Sequence, residues 1–83
     1  MDNSKDTVRF GAITAADELN YKVLRNVYES LTEKGYDPIS QIVGYILSDD
    51  PTYITDHNNA RSMISRVDRD ELLACMVKSY LGI

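Results

Sequence analysis

The 83-residue sequence is poor in the residues on which disulfide-rich, metal-binding and catalytic proteins depend. It has no tryptophan, one phenylalanine, one cysteine and one histidine. The single Cys75 excludes an internal disulfide framework and fits a reducing cytosol. His57, with Asp56 beside it, falls short of the three or four ligands that a metal site requires. We therefore expect no metal, no cofactor and no catalytic residues.

Two further absences concern charge and long hydrophobic runs. The net charge is −4, so the chain lacks the basic surplus of a general nucleic-acid or anionic-membrane binder. No apolar run approaches the ~20 residues of a membrane span, and residues 1–6 lack the plan of a signal peptide. We expect a cytoplasmic protein with no membrane insertion and no nucleic-acid partner. A single domain of this size gains stability from oligomerisation.

The N-terminal residues 1–13 are predicted to form a flexible tail, and residues 14–83 a helical domain. The tail is polar until Thr7, Val8, Arg9 and Phe10, where apolar and polar residues alternate. Alternation is typical of an extended segment. One interpretation is a disordered tail, and the other is a segment that docks on a partner through Val8, Arg9 and Phe10.

Thr7 and Ser4 are the candidate phosphorylation sites, because a kinase needs a hydroxyl in an extended, accessible segment. A phosphate would add about −1.5 to −2 charges at pH 7. The tail side chains Asp2, Lys5, Asp6 and Arg9 sum to zero charge, so this change would be large. The simpler interpretation is that serine and threonine are common in tails.

The first helix is predicted from Thr14, which opens a capping box with Asp17, to about Lys34. Its apolar positions cover about half of the helix circumference, wider than the ~100° of an ordinary core-facing helix. These positions are Leu19, Val23, Val27, Leu31, Leu24 and Tyr28. We expect two contact surfaces, one for the core of the chain and one for a second chain.

The central helix is predicted from Pro38 to Ser48, with Asp37 as its cap and Gly35 ending the preceding helix. One face carries Ile39, Ile42, Val43, Ile46 and Leu47. Its flank carries the small residues Ser40, Gly44 and Ser48, four residues apart. This strip either allows the close approach of another backbone, as a dimer contact would require, or contains a tolerated glycine on a solvated side.

The rest of the chain is predicted to be helical as well. Asp50-Pro51 opens a turn or short helix, and longer helices run from about Asn59 to Arg66 and from an Asp68 cap to about Leu81. The expected inward residues are Ala60, Met63, Ile64, Val67, Leu72, Leu73, Met76, Val77 and Tyr80. The predicted fold is an all-α bundle of four main helices and one short one.

Two other functions are open to the sequence. A helix-turn-helix DNA-binding regulator can be drawn with Arg61, Arg66 and Arg69, although these arginines do not share one helix face. An enzyme would require a ligand-sized pocket with convergent polar groups. Cys75 is interpreted as a small buried hydrophobe rather than a nucleophile.

Three segments resemble the IreB/ReoM family of small regulatory phosphoproteins of Gram-positive bacteria. They are Asp6-Thr-Val-Arg-Phe10, then Val27-Tyr-Glu-Ser-Leu with the run Glu33-Lys-Gly-Tyr-Asp-Pro-Ile through Ile54, and last Asn58-Asn-Ala-Arg61 with Arg69-Asp-Glu71 and Val77-Lys-Ser-Tyr-Leu81. The resemblance covers nearly the whole chain and is loose over residues 11–26.

The resemblance implies a non-enzymatic, cytoplasmic, all-helical homodimer with a flexible N-terminal tail. It implies phosphorylation of the tail by a membrane Ser/Thr kinase with extracellular PASTA repeats, reversed by a cognate phosphatase. Thr7 matches the main phospho-acceptor position, and Ser4 falls where some members carry a second threonine. The implied role is cell-wall homeostasis and antibiotic tolerance, through control of peptidoglycan precursor synthesis and Clp-dependent turnover of its first committed enzyme.

Overall fold

The computed structural model describes residues 15–83, so the predicted tail and Thr14 lie outside the described residues. The order of elements confirms the all-α prediction, and residues 15–83 contain no strand. The four α-helices are α1 (Ala15–Glu33), α2 (Pro38–Ser48), α3 (Ala60–Ser65) and α4 (Arg69–Leu81). The short fifth element is a 3₁₀ turn at Pro51–Tyr53, and a second 3₁₀ turn at His57–Asn59 leads into α3.

Both aspartate–proline pairs cap the elements that follow them, as the sequence predicts. The Asp37 carboxylate accepts hydrogen bonds from the backbone N–H groups of Ile39 and Ser40, at 3.2 and 3.3 Å. The Asp50 carboxylate accepts from the Thr52 hydroxyl at 2.7 Å and from its N–H at 3.0 Å. These two hydrogen bonds stabilise the ionised carboxylate and lower the pKa of Asp50 below its ordinary value.

The helix ends also follow the predicted chemistry. Gly35 has φ of 84° after α1, a left-handed conformation that glycine adopts without a side-chain clash. Gly82 has φ of 75° after α4, and its N–H donates to the carbonyl of Lys78 at 2.8 Å. Asp68 caps the start of α4 by accepting from the N–H of Asp70 at 2.9 Å.

Helix α1 is the centre of the packing, since it contacts α2, α3 and α4. It buries Val23, Val27 and Leu31 in the core. The other elements add the buried apolar residues Ile42, Tyr45, Ile54, Ala60, Ile64 and Leu72. Met63, Val67 and Met76 pack against this cluster and are partly buried, so the inward face predicted for α3 is confirmed.

The predicted burial of α4 is wrong for three of its residues. Leu72 is buried, whereas Leu73 and Val77 are exposed and Tyr80 is 93% exposed. Likewise, Ile39, Val43 and Leu47 of the apolar face of α2 lie at the surface. Helix α2 instead turns Ile42 and Tyr45 inward. The physical reason is that α1 can cover only one side of each neighbouring helix, and the described part of the chain offers no further helix to cover the rest.

Within residues 15–83, no helix is both long enough and apolar enough to cross a bilayer.

Candidate functional site

The residues that the sequence singles out for phosphorylation and partner binding lie outside the described part of the chain. They are Ser4, Thr7, Val8, Arg9 and Phe10. Helix α1 begins at Ala15, five residues after Phe10. The structure therefore describes only the surfaces, above all that of α1, to which these tail residues could bind.

The four apolar residues proposed on α1 for a dimer or for packing divide into two groups. Val23, Val27 and Leu31 are at most 3% exposed and belong to the core of this chain. Leu19 is 55% exposed. A dimer contact through the α1 row thus stays a prediction for Leu19, while the other three residues have their partners within the chain.

The small-residue strip on α2 is covered at its centre by an aromatic ring. A Cβ atom added to Gly44 would lie 2.6 Å from Cδ1 of Tyr53, far inside van der Waals contact. The close approach is made by a ring of the same chain, and the predicted second backbone is not needed to explain the glycine. At the two ends of the strip, Ser40 and Ser48 donate hydrogen bonds to Asp37 and to the carbonyl of Gly44.

A polar network joins α1 to the start of α3. The Asn26 amide donates to the carbonyl of Asn58 at 3.3 Å and lies 3.0 Å from the sulfur of Met63. Its oxygen accepts from the hydroxyl of the fully buried Ser30 at 3.2 Å. Each of these polar groups has a partner, so burial of this seam leaves few costly unsatisfied atoms.

The same seam continues at the end of α1, where Nε2 of His57 lies 2.8 Å from Oε1 of Glu33. The Asn58 amide donates to the same oxygen at 3.3 Å. Asn58 and Asn59 both have positive φ, 56° and 62°. Asparagine tolerates this conformation better than most residues, which explains why the chain can turn sharply here before α3.

A groove of about 360 Å³ runs between α1 and α2, on a part of the surface that the polar network does not reach. Helix α1 contributes Tyr21, Leu24 and Tyr28, and Met76 of α4 reaches its edge. The remaining apolar residues come from α2 and include Ile39, Ile42, Val43 and Ile46. Tyr21, Ile39 and Val43 are about half exposed, which makes this a contiguous apolar patch on the surface.

Arg25 is the charged residue among those lining the groove. Its guanidinium carbon lies 5.8 Å from the centre of the Tyr28 ring, within cation–π range. It also donates to Glu29 at 3.0 Å, and this hydrogen bond is the main reason that the pKa of Arg25 is raised. The groove therefore combines an apolar floor with one positive charge at its rim.

The groove was not predicted from the sequence, although one signal pointed to it. The apolar positions of α1 cover too much of its circumference for a single contact, and Tyr28 lies on the excess side. Periodicity alone could not show that the facing residues of α2, such as Ile39 and Val43, would stay uncovered.

Two of the three arginines proposed for DNA binding, Arg61 and Arg69, make side-chain contacts within the chain, and Arg66 is exposed. Nε of Arg61 donates to the carbonyl of Ile54 at 2.8 Å. Nη1 of Arg69 donates to the carbonyl of Ile46 at 2.6 Å. In addition, residues 49–59 separate α2 from α3, whereas a helix-turn-helix uses a turn of three or four residues. The geometry does not support that alternative.

Cys75 is partly buried where α4 passes the start of α1. Its sulfur lies 3.8 Å from the carbonyl oxygen of Asp17. Lys78 forms an ion pair with the carboxylate of Asp17 at 3.2 Å. Cys75 thus lies between two helices and is partly buried, whereas the sequence predicts a buried side chain.

Comparison with protein families agrees with the resemblance seen in the sequence. A family model described as IreB regulatory phosphoprotein matches residues 5–82, which is nearly the whole chain. The chain belongs to the IreB family. The IreB family is a family of regulatory phosphoproteins. The all-helical fold of residues 15–83 is the fold that the resemblance implies.

The limits of the matched range bear on the two candidate phosphorylation sites. The IreB-family match begins at residue 5, so it includes Thr7 together with Val8, Arg9 and Phe10. Ser4 falls outside it. The match therefore covers the segment that holds Thr7, and phosphorylation of either residue stays a prediction.

Proposed function

We propose that this protein is a non-enzymatic regulator whose activity is switched by phosphorylation of Thr7. The observation that carries the proposal is the family match, which extends over the Thr7-Val8-Arg9-Phe10 motif and the whole helical domain. A phosphate adds charge and hydrogen-bond acceptors to the tail, and it changes which surface the tail can engage. The helical domain is a stable platform for that switch.

The proposed kinase is a membrane Ser/Thr kinase with PASTA repeats, and a cognate phosphatase reverses its action in the cytoplasm. The proposed output is control of peptidoglycan precursor synthesis, and thereby antibiotic tolerance, through protein–protein interactions that include the Clp protease machinery. Support for these partners comes from the family likeness. The tail residues Val8, Arg9 and Phe10 are the proposed contacts.

We further propose that the protein acts as a homodimer. Large apolar side chains remain exposed on the described surface, among them Leu19 and, near the end of α4, Val77 and Tyr80. Covering such residues is a common reason for a small domain to self-associate. Sedimentation of the wild-type chain should give a dimer, and Tyr80→Lys should weaken it if α4 supplies the contact. A monomer at all concentrations would contradict the dimer.

Phosphorylation is tested by incubating the full chain with the kinase and ATP and locating phosphate by mass spectrometry. We expect phosphate on Thr7 in the wild type and in Ser4→Ala, and its loss in Thr7→Ala. Ser4→Ala is the matched control, because it removes the other hydroxyl of the same tail. Phosphate absent from Thr7 in the wild type would overturn the proposed switch.

A further inference from the structure

The apolar groove between α1 and α2 has no occupant within residues 15–83, and its chemistry is specific enough to suggest one. Its floor is made of aliphatic and aromatic side chains, including Tyr21, Leu24 and Val43. Arg25 brings one positive charge to the rim. An occupant should therefore offer apolar side chains together with a nearby negative charge.

The chain's own N-terminal segment meets this description once Thr7 carries a phosphate. Val8 directly follows Thr7, and Phe10 is the next apolar residue, two positions after Val8. Alternate residues of an extended segment point to the same side, so both can face one apolar floor. The phosphate on Thr7 would then lie at one end of the segment as a dianion that can pair with a guanidinium.

The length of the preceding chain allows this contact within one molecule. Phe10 precedes Ala15 by five positions, which can span at most about 17 Å, and Thr7 precedes it by eight, about 26 Å. Along α1, Tyr21 lies about 9 Å and Arg25 about 15 Å beyond Ala15 at the helical rise of ~1.5 Å per residue. Both groove residues are therefore within reach of the segment.

The order of the residues also fits a segment that turns back along α1. Phe10 has the shorter reach and would meet the nearer part of the groove, at Tyr21 and Leu24. Thr7 has the longer reach and would meet Arg25 and Tyr28 farther along the helix. In this arrangement the apolar residues of the segment would lie on the groove floor, and the Thr7 phosphate would lie opposite the positive charge of Arg25.

We propose that the α1–α2 groove is the docking site for residues 7–10 of the same chain, with Val8 and Phe10 on its apolar floor and the Thr7 phosphate paired with Arg25. The phosphate replaces Glu29 as the partner of the Arg25 guanidinium. Phosphorylation then covers the groove and withdraws the Val8–Phe10 segment from other proteins. This inference rests on the proposed switch at Thr7 and adds the surface that responds to it.

The test uses the full chain with a nitroxide spin label at Ser4→Cys, in a Cys75→Ser background, and with phosphothreonine incorporated at position 7 during translation. Direct incorporation makes the experiment independent of the kinase. If the kinase fails to modify Thr7 but the incorporated phosphate docks the segment, the proposed switch fails and the docking site stands.

The expected result is strong broadening of the NMR signals of backbone amides around Tyr21–Tyr28 and Ile39–Ile46 in the phosphorylated chain. The unphosphorylated chain should show weaker broadening of the same signals. Phe10→Ser should lower the ratio of docked to undocked chains at least about tenfold, since it removes a large apolar side chain from the contact. Absence of broadening at the groove in the phosphorylated chain would overturn the proposal.

Arg25→Gln tests the phosphate contact, with Arg66→Gln as the matched control on an exposed arginine outside the groove. Arg25→Gln should lower the ratio of docked to undocked molecules of the phosphorylated chain by about two- to fivefold, as expected for an exposed ion pair. It should leave the unphosphorylated chain almost unchanged. An equal effect on both forms would overturn the pairing of the phosphate with Arg25.

Two further measurements separate docking from its rivals. Ile39→Glu places a negative charge in the groove at a residue that is 63% exposed, so the fold is kept while docking of the phosphorylated segment should be lost. In a second sample, chains that carry only the nitroxide are mixed with chains that carry only the isotope label. Broadening in this mixture reports contacts between molecules. Broadening of the groove signals in this mixture would place the segment on a second copy and overturn the same-chain assignment.

Discussion

Helix α1 meets its neighbours in two different ways. Toward residues 51–65, polar side chains such as Asn26 and Glu33 pair across the seam, and the apolar residues beneath them are fully buried. Toward α2, apolar residues such as Tyr21 and Ile39 stay at the surface and form an open groove. One seam is completed within residues 15–83, whereas the other stays open there.

This difference distinguishes the residues expected to stabilise the fold from those expected to act in docking. Side chains of the closed seam have their partners already, so changes there should act on folding. The exposed side chains of the groove, such as Ile39 and Val43, contribute little to the folded state and should act on docking instead. Three predictions test this division, starting from the largest expected effect.

Ile64 and Ile39 allow the most direct test, because the same substitution removes the same atoms from the two surfaces. Ile64 is fully buried in α3, and Ile39 is 63% exposed at the groove. Ile64→Ala should lower the free energy of unfolding by about 2–5 kcal/mol, whereas Ile39→Ala should change it by no more than about 0.5 kcal/mol. Urea denaturation measures both, and equal losses would erase the proposed distinction.

Gly44 tests how tightly the 51–53 turn packs on α2. Gly44→Ala should destabilise the protein by about 1 kcal/mol, because the new Cβ displaces the Tyr53 ring. In a Tyr53→Ala background the ring is gone, and the same change should stabilise the helix by about 0.5–1 kcal/mol. Thermal denaturation of the four proteins of this cycle, the wild type included, gives the sign of the stability change. A loss of stability in both backgrounds would show that the Tyr53 ring is not responsible.

Tyr45 gives the smallest effect and one that depends on pH. Burial, followed by the charge of Asp49, raises the pKa of the Tyr45 phenol. A raised pKa in the folded state means that stability is complete below the ordinary value of about 10 and is lost as pH rises through the folded value. Tyr45→Phe should therefore lose less stability than the wild type above about pH 10.

The control for Tyr45 is Tyr36→Phe, since Tyr36 is 52% exposed and belongs to neither the groove nor the residues proposed for the dimer. It should keep the wild-type dependence of stability on pH. Urea denaturation below and above about pH 10 measures this dependence. If Tyr45→Phe and Tyr36→Phe behaved alike, burial of Tyr45 would not be the source of the alkaline sensitivity.

The sequence predicted the helices because their starts and ends are encoded locally. Asp37-Pro38 and Asp50-Pro51 carry both the capping carboxylate and a backbone angle suited to a helix start. Gly35 and Gly82 provide the left-handed ends. Such signals depend on neighbours within a few residues, so they can be identified without knowledge of the fold.

The uncovered surfaces could not be predicted in the same way. Periodicity shows which side of a helix is apolar, but burial also requires another element on that side. Val77 and Tyr80 of α4 have the spacing of core residues and lie exposed. Contacts between distant positions were equally hidden: Glu33 and His57 are 24 residues apart, and nothing in either local segment indicates the pairing.

Part of the candidate functional site could be predicted from the sequence. Alternation at Val8 and Phe10 marked a segment suited to docking, and the hydroxyl of Thr7 marked a candidate for modification. The surface proposed to receive them depends on Arg25 and Tyr28 of α1 facing Ile39 of α2. That juxtaposition follows from the packing of the two helices, which no single stretch of sequence specifies.

The position of Cys75 makes the attachment of α4 measurable without any mutation. Its thiol is the only one in the chain and lies against the start of α1, while α4 buries Leu72 and leaves most of its other side chains accessible. A helix held by few buried contacts opens at a lower free energy than the rest of the core. The rate at which the native thiol is alkylated therefore measures local opening of the α1–α4 junction.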